Sequence, residues 1–389
     1  MEKKIKFGIL GYGNMGTEHS LNLWKGLCPE LELVAIADLN PDRRAAAKEL
    51  WGDKITIFES GDEMIESGML EACLIAVPHY DHPKFVIKCI ESGIHVVSEK
   101  PAGVYAKAVR EMNEVADAHP DVVFGMMFNV RAHRLYMKLH ELVKSGKYGE
   151  IRRVNWMITD WFRTQIYYDS GSWRATWAGE GGGVLVNQCP HQLDLLQWIC
   201  GMPVKVHSHL HFGKWHDIEV EDDVTAYLEW PNGATGVFVT STGDACGTDR
   251  LEIQMDRAKI VVEGGKIDLT EFAQSATDFI KNAETGFAKL ETQKVEVENN
   301  YVSTHHVGVL NAFAGAVLRG EPLIADGREG INGVRLANAI HLSGFLGKEV
   351  ECPVDEDVYY EELMKRVATS RQKTQVKSVF FDTSNSRKS

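Results

Sequence analysis

The sequence predicts an α/β chain in two parts: a doubly wound parallel-sheet domain over residues 1–128, then an α+β domain with a large, mostly antiparallel sheet over residues 129–389. Three observations predict it. The chain opens on an apolar strand that runs straight into a glycine-rich turn and a helix-compatible stretch. Short, near-continuous apolar runs then alternate with helix-like segments, the pattern of a parallel sheet covered on both faces. Beyond Asn129 the pattern changes to longer stretches in which apolar and polar residues alternate.

The predicted strands of the first part are Ile5–Leu10, Leu33–Ala37, Ile55–Phe58, Ala72–Val77, His95–Ser98 and Val122–Phe128. Segments such as Pro41–Leu50 and Pro83–Ser92, rich in Ala, Lys, Glu and Arg, separate them as helices. In the second part Arg131–Ser145 reads as one amphipathic helix closed by Gly146. Alternation over Ile151–Arg163, Val204–Phe212, Asp223–Trp230, Ala234–Thr242, Arg250–Met255 and Lys259–Glu263 predicts strands, with a tight turn at Pro231-Asn232-Gly233. Helices are expected over Pro190–Cys200, Gly308–Arg319 and Gly330–Leu346, and the polar tail Thr383–Ser389 is expected to fray.

A length of 389 residues suits two domains, and 44% hydrophobic with 25% charged residues is an ordinary globular balance. A net charge of −13 argues against a nucleic-acid surface. No apolar run is long enough to span a bilayer. The start, Met1-Glu-Lys-Lys-Ile-Lys, leads directly into a strand and leaves no room for a signal peptide, so a cytoplasmic protein is expected. Cys28, Cys73, Cys89, Cys189, Cys200, Cys246 and Cys352 show no metal-ligand spacing, and scattered thiols suit a reducing compartment. No metal is expected.

Gly11-Tyr12-Gly13-Asn14-Met15-Gly16 follows the first strand at once. In such a turn the first glycine permits the bend, the second lets backbone approach a pyrophosphate, and the third lets helix pack on strand. The helix start offers free N–H groups to phosphates. Asp38 ends the second strand 22 residues beyond Gly16, where an acid takes the ribose 2′-OH and repels a 2′-phosphate. The expected cofactor is NAD, held by a Rossmann domain. Arg43 and Arg44 lie nearby and could soften the preference over NADP.

Ligands of open α/β sheets sit beyond the carboxyl ends of the strands. There the chain places Pro78-His79-Tyr80-Asp81-His82, Glu99-Lys100-Pro101 and Asn129. Pro78, His79, His82, Glu99 and Lys100 are assigned to the cofactor side, and Asn129 to the substrate. A lysine at a strand end can orient a substrate hydroxyl and help it lose its proton, although a lone lysine is more often a solvated one.

Gly11–Gly16, Glu99-Lys100-Pro101 and the later Gly181-Gly182-Gly183…His191-x-x-Asp194 together resemble the Gfo/Idh/MocA family, the relatives of glucose–fructose oxidoreductase and inositol dehydrogenase. The resemblance covers nearly the whole chain. It implies NAD(P)-linked oxidation or reduction of a ring hydroxyl on a sugar, inositol or derivative. It also implies that Lys100 lies near nicotinamide and substrate and that His191 matches the family's catalytic histidine. The residues agree: Pro190 suits a first helical turn, and the positive end of a helix favours the neutral imidazole that a base needs. Asp194 shares the face of His191 and is expected to bind a substrate hydroxyl or orient that ring. Where the family commonly has an aspartate four residues before the histidine, this chain has Asn187, which cannot carry charge.

Trp156, Trp161, Trp173 and Trp177 crowd one stretch with Arg163, Tyr167, Tyr168 and Arg174. Flat aromatic faces with forked donors suit a sugar ring; the alternative is that these tryptophans fill a core or an oligomer interface. Arg163, Tyr167, Trp173, Arg174 and Asn187 join the substrate set. His207, His209 and His211 alternate on one strand and read as a solvated or interface face rather than a zinc site. The expected function is NAD-dependent oxidation of a secondary ring hydroxyl of a sugar, polyol or glycoside to a ketone, with His191 and Lys100 as the catalytic pair. The rivals are a redox glycosidase and an NAD-binding regulator without turnover. A homo-oligomer built on the second sheet is expected.

Overall fold

The computed structural model describes residues 3–298, 301, 303–371 and 373; the predicted fraying tail Thr383–Ser389 lies outside them. The first part alternates strand and helix: β1 (Ile5–Leu10), α1 (Asn14–Trp24), β2 (Leu31–Ala37), α2 (Pro41–Trp51), β3 (Thr56–Phe58), α3 (Gly61–Glu66), β4 (Ala72–Ile75), α4 (His82–Glu91), β5 (His95–Ser98), α5 (Ala106–Ala118) and β6 (Phe124–Met126). Every pairing in this sheet is parallel, in the order β3-β2-β1-β4-β5-β6. The order reverses between β1 and β4, which opens a crevice at their carboxyl ends. Helix starts follow local chemistry. Asn40 caps α2 ahead of Pro41, and Ser60 caps α3.

The second part comprises α6 (Arg134–Lys144), β7 (Ile151–Ile158), α7 (Gln165–Asp169), α8 (Pro190–Cys200), β8 (Lys205–Phe212), β9 (Glu221–Glu229), β10 (Thr235–Ser241), β11 (Asp249–Met255), β12 (Ala258–Glu263), β13 (Lys266–Phe272), α9 (Ala276–Asn282), β14 (Thr292–Val295), α10 (His305–Arg319), α11 (Gly330–Leu346), β15 (Val350–Glu351) and α12 (Glu356–Ala368). Its strands form one sheet, β14-β13-β12-β11-β7-β10-β9-β8-β15, antiparallel except where β7 and β10 run side by side in parallel. Residues Val154, Trp156 and Ile158 of β7 face inward onto α8 and α11, with Phe238, Leu251 and Leu228 beside them. The opposite face carries Met157, Tyr227 and the histidine row His207, His209 and His211.

Three expectations shift. The helix predicted from Arg131 starts at Arg134, because Asn129–Ala132 forms a tight turn that buries the Arg131 side chain. The alternation of Ile151–Arg163 ends as strand at Ile158, and Thr159–Arg163 turns away toward the crevice. The boundary at 128/129 does not divide the cores. Val309, Leu310, Phe313 and Ala314 of α10 pack with Ile5, Phe7 and Ile9 of β1, so a late helix completes the first domain.

Candidate active site

The glycine turn leaves β1 at the crevice. Gly11 has φ +93°, and a Cβ there would stand 2.4 Å from the Ala76 carbonyl; a Cβ on Gly16 would stand 1.9 Å from the Gly11 carbonyl. At Gly13, by contrast, a Cβ would meet nothing within 4 Å. The turn is packed on its inside and open on its outside, where α1 begins without a side-chain cap. A pyrophosphate would occupy that open side and take the free N–H groups. Asp38 is fixed beside it: its carboxylate accepts from Tyr12 N at 2.6 Å and from Asn40 N at 2.7 Å. Tyr12 contributes backbone only, since its ring is buried with its hydroxyl 3.1 Å from Ser20. These residues fit a dinucleotide.

Lys100 follows β5 and reaches across the crevice to donate to the Asn187 carbonyl at 3.0 Å. Burial pulls its ammonium below the usual lysine range; Glu99 opposes that pull and Arg174 adds to it. His191 lies in the first turn of α8, its ring 6.3 Å from that of Phe128 just after β6. Asn129, next in the chain, is buried, and its Oδ1 atom has no hydrogen-bond partner among the described residues. His79 follows β4. Burial holds its imidazole well below the usual range, with the charges of His82 and Lys100 adding to this. The His79 ring sits 5.5 Å from that of Trp173.

Above Lys100 stands a wall from the second part. The Arg174 guanidinium lies 4.6 Å from the Tyr167 ring and 4.7 Å from the Trp173 ring, and donates to the Tyr167 hydroxyl at 2.8 Å. The Arg163 guanidinium also lies over the Tyr167 ring, at 5.2 Å. The turn before α8 is close-packed: a Cβ on Gly183 would stand 2.0 Å from the Glu221 carbonyl, and the buried Glu221 carboxylate accepts from Gly183 N and Leu185 N at 2.8 and 3.0 Å.

Two chain segments match one family's two domains. Residues 5–126 match the oxidoreductase family with an NAD-binding Rossmann fold, and residues 136–261 match the GFO/IDH/MocA C-terminal domain. The chain belongs to the GFO/IDH/MocA oxidoreductase family. It is similar to the myo-inositol 2-dehydrogenase of Thermotoga maritima, 27% identical over 67% of this chain and 75% of that protein. It is also similar to the trans-1,2-dihydrobenzene-1,2-diol dehydrogenase of Mus musculus, 30% identical over 61% and 68%. Among solved structures, the WlbA dehydrogenase of Bordetella pertussis in complex with NADH and UDP-GlcNAcA superposes with a TM-score of 0.76. It is 27% identical over 91% of this chain and all of that one. The first domain of this GFO/IDH/MocA protein is therefore an NAD-binding one, and the chain is an oxidoreductase with sugar and inositol dehydrogenase relatives. No helix among the described residues is long and apolar enough to cross a membrane.

The side-chain contacts correct three expected roles. Asp194 is held away from the expected role: it is 1% exposed and its carboxylate is clasped by Arg131, with bonds of 2.6 and 2.7 Å. His82 does not face the cofactor. Its ring is buried with Nδ1 2.6 Å from the Pro101 carbonyl and Nε2 2.8 Å from that of Val77, so it joins two loops. Glu99 acts at one remove, because its carboxylate is paired with His19 at 2.7 Å beneath Lys100. Among the tryptophans, Trp156, Trp161 and Trp177 are core, and Trp173 alone of the four stays at the crevice. Sequence reasoning missed Arg131, Glu180 and Glu221. Arg131 follows a strand end that it did inspect, and Glu180 directly precedes the glycine run; both were visible as charges in apolar surroundings.

Proposed function

We propose that this protein oxidises a secondary ring hydroxyl of a sugar, polyol or glycoside to a ketone, using NAD in preference to NADP. The observation that carries the reading is the convergence of Lys100 and the α8 start on one crevice beside the glycine turn, bridged by the Lys100–Asn187 bond. Bound at Gly11–Gly16 and Asp38, NAD supplies the hydride acceptor. Asp38 holds the ribose hydroxyl and repels a 2′-phosphate. His191 takes the hydroxyl proton, and Lys100, its proton affinity lowered by burial, donates to the same oxygen and shares the transfer. Asn129, Arg163 and Arg174 hold the remaining hydroxyls, Asn187 stands behind them with its amide on Glu180 and Tyr167, and Trp173 with Tyr167 covers the ring's C–H face and excludes water. The myo-inositol and UDP-sugar ligands in the relatives' names support a polyhydroxylated ring.

Protein incubated with NAD and a panel of polyols, sugars and glycosides should form NADH together with a product two mass units lighter. Silence across the panel would count against the reading. His191→Ala should lower kcat about a hundredfold or more while leaving NAD affinity within about twofold. Equal losses of both would remove its assigned role.

A further inference from the structure

We propose that Glu180 is a charged positioning residue of this site, whose carboxylate, through Asn187 and Arg174, fixes the groups that meet Lys100 and the substrate. The inference rests on the function proposed above and concerns the same crevice.

Glu180 is 1% exposed, and both of its oxygens receive N–H donors. Asn187 Nδ2 donates to Oε1, and Ala175 N donates to Oε2 at 2.5 Å. N–H donors to both oxygens, with a guanidinium beside them, favour the carboxylate against its burial. The Arg174 guanidinium stands 3.8 Å away. Burial wins on balance and raises the carboxyl above the usual glutamate range, while Arg174, the Ala175 N–H and Asn187 limit that rise and Glu221 adds to it. The other charges felt there are those of Glu221, Lys100 and Lys373. Lys100 itself also faces Glu99, Arg174 and Arg163.

One carboxylate sets the direction of every bond in the chain that follows. The Asn187 amide spends its N–H on Glu180, so its oxygen must accept, and the Tyr167 hydroxyl donates to it at 3.3 Å. Tyr167 must then accept, and it receives Arg174 at 2.8 Å and Gln188 at 3.2 Å. The Asn187 backbone carbonyl, held by the same side-chain anchor, receives Lys100. Ala175 is a non-glycine residue at φ +54°, a strained conformation whose N–H ends on Glu180. That turn delivers Arg174 into the crevice. Two polar atoms at the end of this chain are buried and have no hydrogen-bond partner among the described residues: Arg174 Nε and Gln188 Oε1.

The test moves the charge across one hydrogen bond, from Glu180 to position 187. Glu180→Gln should lower kcat about tenfold to a hundredfold with NAD affinity unchanged, the range for losing a hydrogen bond to a charged group. Asn187→Asp should also lose activity, because two carboxylates then share one buried contact. The double variant E180Q/N187D restores one charge and one amide, and should recover kcat to within about threefold of the unaltered protein, a coupling that simple loss of packing does not give. Glu180→Gln with kcat within about twofold, or a double variant no better than the singles, overturns the proposal. If the unaltered protein turns over no substrate, the function proposed above fails, and the melting temperature still decides this inference. Asn187→Asp should melt lower, increasingly so as pH rises, and the double variant should recover; equal melting of all three overturns it.

Discussion

Asp38 shows what a single residue conveys when its surroundings are local. Its carboxylate is aimed by two backbone N–H groups, one in the glycine turn and one in its own loop. Both partners lie within reach of a sequence reading, and so do the glycines, whose spacing is dictated by one turn. Asp38→Ala should weaken NAD binding about tenfold to a hundredfold, the worth of charge-assisted bonds to a ribose, and affect NADP less. The ratio of kcat/KM for the two cofactors measures this. An unchanged ratio would remove Asp38 from cofactor choice. The positions of Lys100 and His191 in the fold were legible for the same reason, each marked by a proline beside it at an element's end. Asp194 was misread because three-residue helical spacing gives its face but not the guanidinium, 63 positions earlier, that claims it.

At the scale of elements, the Arg131–Asp194 pair fastens α8 to the end of β6, and Arg131 reaches on to Glu329 ahead of α11 at 2.6 Å. Arg131→Ala would leave Asp194 buried without its countercharge and should cost about 3–5 kcal/mol, read as a lower midpoint in urea. Arg131→Ala combined with Asp194→Leu should recover much of that, which separates charge from packing. A second fastening joins α10 to α1. His306 Nδ1 lies 3.2 Å from the Glu18 carboxylate. Burial pulls His306 down, but the Glu18 bond and the charges of Glu99 and Glu18 outweigh it and raise the pKa above 6.5. A raised histidine stabilises fully below its unfolded pKa and loses that contribution as pH rises through its folded one. Stability should therefore fall from slightly acidic toward alkaline pH, and His306→Gln should flatten that slope. Glu99 acts at the opposite end. Burial pushes it up, yet His19, His306 and Lys100 hold it at about 2, so its contribution persists above the usual glutamate range and disappears only in strong acid. Strand and helix types were legible from periodicity where a buried face is long; β14 buries no face at all, and β13 and α12 each bury only two residues, Ile267 with Leu269 and Tyr359 with Leu363.

For the molecule as a whole, the outward face of the second sheet lines up Asn155, Val237, Tyr227 and His207 in one row and Met157, Val239, Thr225 and His209 in the next. Tyr227 is 40% and Met157 45% exposed. We propose that copies of the chain pair on this face. Sedimentation should give a multiple of the 43.5 kDa chain, and Tyr227→Glu with Met157→Glu should shift it toward one copy. A single-chain mass for the unaltered protein would refute the pairing. The two-part architecture was legible because parallel and antiparallel sheets leave different hydrophobic patterns. The return of α10 to the first sheet was not, because no local pattern states which core a helix joins. That return has a consequence for synthesis. The apolar flank of β1 that meets Val309, Leu310 and Phe313 stays uncovered until α10 has left the ribosome. The nucleotide-binding half, although translated first, can complete its fold only after most of the other half exists, so a nascent chain halted near Asn129 should be bound by chaperones and cut by protease, whereas one halted past Gly320 should resist.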